Sequence, residues 1–70
     1  MRIRLSILIN QNRRIHEIIN HLEFDSIEDF VAYKQDFYEC LFARGWRRCR
    51  MSANQCYKGN FVLIPYFIRE

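Results

Sequence analysis

Between Asp25 and Gly45 the chain carries one long amphipathic segment with a start signal and a stop signal, and the rest of the fold has to be arranged around it. At about 100° per residue, Ile27, Phe30, Val31, Phe37, Tyr38 and Leu41 fall on one side. Glu28, Asp29, Ala32, Gln35, Asp36 and Glu39 fall on the other. Ser26 and Asp29 are spaced like a capping box, with Asp in place of the usual Glu. Glu28 and Asp29 suit the positive end of the helix dipole. Arg44 suits the negative end, and Gly45 is a natural left-handed cap. The spacing therefore predicts a helix over residues 26–44. Lys34 lies near the middle of the apolar stripe. Its expected place is a stem along the core with the amine in water, the other reading being a buried functional lysine.

The flanking segments read as strands. Ile3, Leu5, Ile7 and Ile9 alternate with Arg2, Arg4 and Ser6, with Leu8 as the exception, and period two with one polar face marks a half-buried antiparallel strand. Asn10-Gln11-Asn12 is a turn signal. Residues 14–24 fit two templates. Ile15, Ile18, Ile19 and Leu22 have helical spacing, whereas the β-branched isoleucines, two histidines and an asparagine favour extended chain. The strand reading, as a hairpin with the first strand, is the one adopted. Residues 46–57 read as an interrupted strand with Cys49, Met51 and Ala53 on one face and Arg48, Arg50 and Ser52 on the other. Lys58-Gly59-Asn60 is a turn. Phe61 to Ile68 is an apolar strand on both faces, at odds with Pro65, which favours an edge. Self-association would reconcile the two. The expected fold is α+β, a small antiparallel β-β-α-β-β sheet whose second element is the uncertain one, with one amphipathic helix packed on one face.

Seventy residues make a single domain, and one with a thin stability margin. Half of the residues are apolar and 16% are aromatic, which excludes a disordered chain. Some of that surface has no room in a small core and is expected to serve as a binding patch. The longest apolar run falls far short of the roughly 18 residues a membrane span needs. No secretory leader is legible, which places the chain by default in the cytoplasm. Three cysteines, Cys40, Cys49 and Cys56, argue against a closed disulfide framework, and their spacing matches no zinc signature. His16 and His21, five apart, do not suit a shared metal. No cofactor is expected.

Charge is sharply divided. Residues 15–43 hold seven acidic side chains against the single base Lys34, and the remainder holds ten bases against Glu70 alone. If the helix covers the face of Ile3, Leu5 and Ile7, then Arg2 and Arg4 point away from it. By the same parity Arg48 and Arg50 should join them, with Tyr66 or Phe67 nearby, making the open sheet face basic. Two kinds of partner fit. Trp46 with Arg47, Arg48 and Arg50 suits a protein hot spot. Arginines with an aromatic on a sheet also suit single-stranded nucleic acid. Arginines that simply keep an apolar protein soluble are the plainest alternative.

Enzymatic chemistry has little to stand on. A nucleophile needs a base within reach and a group that orients the base, and nothing in the spacing joins the cysteines to His16 or His21. Gly45 and Gly59 are the only glycines, so there is no phosphate-binding loop. The run Leu41-Phe42-Ala43-Arg44-Gly45-Trp46, followed by Val62-Leu63-Ile64-Pro65, resembles the HicA toxin family of small RNA-cleaving proteins, which joins a helix through a Gly-aromatic pair to a short antiparallel sheet. The catalytic histidine of that family has no counterpart here, because no histidine follows His21 and the corresponding region reads Ser52-Ala53-Asn54-Gln55. The resemblance therefore implies no catalysis. The expectation is a non-catalytic binding module that engages a protein partner or a second copy of itself, with a regulator or inhibitor as the kind of role that fits. Its candidate binding residues are Arg2, Arg4, Trp46, Arg47, Arg48, Arg50 and Tyr66, and the alternative is a nucleic-acid binder on a basic sheet face.

Overall fold

The computed structural model describes residues 1–52 and 54–70. The chain runs β1 (Arg2–Gln11), β2 (Arg14–Glu23), α1 (Ile27–Ala43), β3 (Arg47–Arg48), β4 (Cys56–Lys58) and β5 (Phe61–Arg69). All five strands form one antiparallel sheet in the order β2-β1-β5-β4-β3. The isoleucine-rich segment 14–24 is thus a strand. β-branched side chains fit a pleated ladder better than a helix, and a two-residue turn at Asn12-Arg13 folds the segment straight back onto β1. Both turn residues have positive φ, 51° and 68°, as the twist of a tight hairpin requires.

The helix begins and ends where its capping residues stand. The Ser26 hydroxyl accepts from the Asp29 amide at 3.1 Å. At the other end Gly45 takes φ 94°, and the amides of Gly45 and Trp46 donate to the carbonyls of Phe42 and Leu41 at 3.1 and 3.0 Å. That paired closure satisfies carbonyls the helix would otherwise leave open, and only glycine adopts the needed backbone without strain.

The helix lies over the odd-numbered face of β1. Ile3 and Leu5 are fully buried there, as are Pro65 of β5 and Cys56 of β4. Phe67 is the seat. Its ring packs against Phe30, Tyr33 and Phe37 at centroid distances of 5.8, 6.5 and 5.6 Å. The inner face of α1 is therefore Phe30, Tyr33, Phe37 and Leu41, flanked by the buried Tyr38. Ile27 and Val31, expected in the core, lie on the flank and stay exposed. Lys34 is exposed with its amine 5.6 Å from the Phe67 ring, as a snorkelling side chain should be.

The interrupted strand expected over 46–57 is two short ones, 47–48 and 56–58. Cys49 and Met51 fall in the connection between them, and Ala53 lies outside the described residues. Pro65 needs no partner copy to explain it. Met1 and Phe24 exchange main-chain hydrogen bonds of 2.8 and 2.9 Å, so odd residues of β1 bond towards β2 and even ones towards β5. Pro65 faces Ile7, an odd residue, so its missing amide points away from β1. On that side β4 pairs only with Phe61–Leu63, so no strand is there to receive a donor.

Candidate functional site

Among the described residues, the sheet face opposite the helix has no layer over it. From one end to the other its rows are Arg2 and Glu23, then Arg4, His21 and Ile68, then Ser6, Ile19 and Tyr66. Next come Leu8, Glu17 and Ile64, and finally Asn10, Ile15, Val62, Tyr57 and Arg47. The middle of this surface is apolar apart from Glu17. Ile15 is 67% exposed, Ile19 49% and Tyr66 41%, with Leu8, Val62 and Ile64 half-buried between them. Ser6 is small enough to be shielded in this setting and donates its hydroxyl to the Glu17 carboxylate at 2.9 Å.

The basic open face expected from parity is not what forms. Arg2 and Arg4 do point away from the helix, but their end of the face also holds acids. Arg2 pairs with Glu23 at 3.2 Å, and His21 Nδ1 lies 2.7 Å from Glu70. Arg48 is on the helix side, in register with buried Cys56, and its guanidinium stacks over Tyr38 and Phe42 at 5.1 and 5.6 Å. Arg47 takes the open side in its place. Arg50 is in a turn outside any strand. Of the two candidate aromatics, Tyr66 is on the open face and Phe67 is under the helix. Trp46 is half-buried beyond the helix cap, edge-on to Phe61 at 6.4 Å.

A different grouping of cations does form. The two sheet rows nearest the β1–β2 turn contain Arg14, Lys58 and Arg47 and no acid. Arg13 is in the adjoining turn, and the Lys58 amine donates to the Arg44 carbonyl at 2.6 Å. Five bases thus gather at the end of the molecule that also holds Trp46. An open groove of about 450 Å³ lies there between Gln11, Trp46, Lys58, Gly59, Asn60 and Phe61. The ion pairs seen among the described residues all sit at the far end, on Met1, Arg2, His21, Glu23 and Glu70.

The buried groups under the helix are Tyr38 and Cys56. Burial raises the Tyr38 pKa, the neighbouring Cys56 raises it further, and Arg48 opposes both. The Cys56 thiol is raised by burial and lowered by Arg48. A fully buried thiol held in its neutral form is a core side chain rather than a nucleophile. Cys40 is exposed and Cys49 half-buried.

Reading the sequence for charge missed the apolar open face. The signal was present in the common parity of Ile15 and Ile19, and in the two-sided apolar character of residues 61–68. No protein-family model matches this chain, and no curated protein or solved structure is detectably similar to it. Among the described residues, no helix is long and apolar enough to cross a membrane.

Proposed function

We propose that this chain is a small non-catalytic binding module that docks on another protein through the uncovered face of its sheet. The observation that carries this reading is the apolar strip of Leu8, Ile15, Ile19, Val62, Ile64 and Tyr66, which no element among the described residues covers. Surface of this kind is costly to leave in water, and contiguous apolar patches on small domains mark contact sites. Arg2 and Arg4 at one end and Arg47 at the other would form the polar rim of such a contact. The test is site-specific photo-crosslinking in the native host. A crosslinker replacing Tyr66 should yield a discrete protein adduct that disappears when Ile64→Asp is added, and one replacing Gln35 on the outer side of the helix should yield none. Equal labelling from both positions, or none from Tyr66, would sink the reading.

A second reading is supported by the basic end. Arg13, Arg14, Arg44, Arg47 and Lys58 lie at the same end of the molecule as Trp46, where the two terminal sheet rows hold no acid, a combination that suits a phosphate backbone with a base stacked on the indole. Its test is a labelled single-stranded RNA oligonucleotide. Binding should weaken steeply with salt, and Arg47→Ala with Lys58→Ala should flatten the slope by about two units.

A further inference from the structure

The sheet has two edges of very different character. β3 is two residues long, too short to template another strand. β2 is ten residues long and pairs with β1 at every position without a bulge. It contains no proline, and its charged side chains are Arg14 and Glu23 at the ends and Glu17 alone in the middle. It also exposes Ile15, Ile18 and Ile19. Since Phe24 and the even residues of β2 bond to β1, the amides and carbonyls of Ile15, Glu17, Ile19, His21 and Glu23 point outward along this edge.

We propose that this edge pairs with the same edge of a second copy of the chain, antiparallel, with Ile19 facing Ile19. Two copies joined at β2 in antiparallel are related by a two-fold axis normal to the sheet, which keeps both helices on one side. The outward-facing set is centred on Ile19. An axis there pairs Ile15 with Glu23, Glu17 with His21 and Ile19 with itself, so that every outward main-chain group of the strand finds a partner. Shifting the axis to Ile18 leaves Glu23 beyond the end of the facing strand. Shifting it to Asn20 sets Glu17 against Glu23, and shifting it to Glu17 sets that carboxylate against its own copy, both unfavourable directly across a ladder. Of these four registers, the Ile19 one places the Glu17 carboxylate opposite the His21 imidazole, twice over, while keeping the whole strand paired. About ten new main-chain hydrogen bonds result, two for each facing pair. The two open faces then lie side by side as one surface, with Ile19 and Tyr66 of each copy flanking the junction. The pairing uses the edge and not the face, so it stands whichever macromolecule the face receives.

Sedimentation equilibrium with amide exchange followed by NMR on the wild-type chain tests this directly. The chain should pass from monomer to dimer as its concentration is raised towards about 1 mM. The amides of residues 15, 17, 19, 21 and 23 should exchange more slowly as concentration rises, while those of 16, 18, 20 and 22, already bonded to β1, do not change. Ile19→Lys, at an exposed position, sets two ammoniums across the axis and should weaken association at least about tenfold. His21→Glu alone should weaken it, and the added Glu17→Lys should restore it. A chain that stays monomeric throughout overturns the proposal. So does a dimer whose odd-numbered β2 amides exchange as an open strand would, because another surface would then hold it. If Ile19→Lys failed to fold, the exchange pattern of the wild type would still decide.

Discussion

Tyr38 and Cys56 are buried at the C-terminal half of α1 with the exposed Arg48 stacked over the phenol ring, and their chemistry ties stability to alkaline pH. Both acidic groups have raised pKa values in the fold, so the fold favours their neutral forms. Their contribution is complete below the ordinary values of 9.0 for the thiol and 10.0 for the phenol, and is lost as pH rises through the higher folded values. Thermal melts should fall as pH rises above the ordinary values of 9.0 and 10.0, and Tyr38→Phe should make that fall shallower. An unchanged slope in the variant would mean the phenol is not the group responsible. Phe67 is the other residue on which much rests. Three helix rings meet it, so Phe67→Ala should cost about 3–5 kcal/mol in urea unfolding, at least as much as Phe37→Ala. A mild loss would mean the helix is seated elsewhere.

Among the elements, the β1–β2 hairpin carries the clearest local strain. Arg13 holds φ 68°, a conformation a side chain resists, next to Asn12 at 51°. Asn-Gly is the pair such a turn prefers. Arg13→Gly should therefore raise stability by about 0.5–1 kcal/mol, measured by the urea midpoint at unchanged slope. Destabilisation would show that the arginine makes a contact worth more than its backbone strain. The helix is locally better fitted, with a side-chain cap at Ser26 and a glycine closure at Gly45. Its weak point is the exposed flank of Ile27, Val31 and Phe42, which lies beside a groove of about 410 Å³ that includes Lys34, Tyr38 and Arg48.

At the scale of the whole molecule, charge is laid out lengthwise along a body of 37 × 22 × 20 Å. The end near the β1–β2 turn is basic and without ion pairs among the described residues, while the opposite end holds the pairs of Arg2, His21 and their carboxylates. Five like charges crowded together repel one another, and salt screens exposed charges on a scale of about 8–10 Å. Raising sodium chloride from about 20 mM to about 500 mM should therefore raise the melting temperature. The shift should shrink when Arg47 is replaced by Gln. A fall in melting temperature with salt would mean that the ion pairs of the other end dominate.

The helix with both its caps, the alternating first strand and the turn at Lys58-Gly59-Asn60 were legible in the sequence, because each is set by neighbours within a few residues. β2 was legible in type, though only through the weight of its isoleucines. The outward side of Arg2 and Arg4 was legible as well, but the sides of Arg47 and Arg48 were not. Alternation fixes which residues of one strand share a side, but the side itself depends on register with strands far along the chain. Arg47 and Arg48 exchange places relative to the parity argument because β3 is held by Cys56-Tyr57, which is held in turn by Val62-Leu63. The same long-range choice made β2 an edge, uncovered the isoleucines of the open face and left Pro65 where no donor is wanted. The sequence determined which segments would be strands and helix, and strand pairing, a cooperative choice among distant segments, decided which of their side chains meet the solvent.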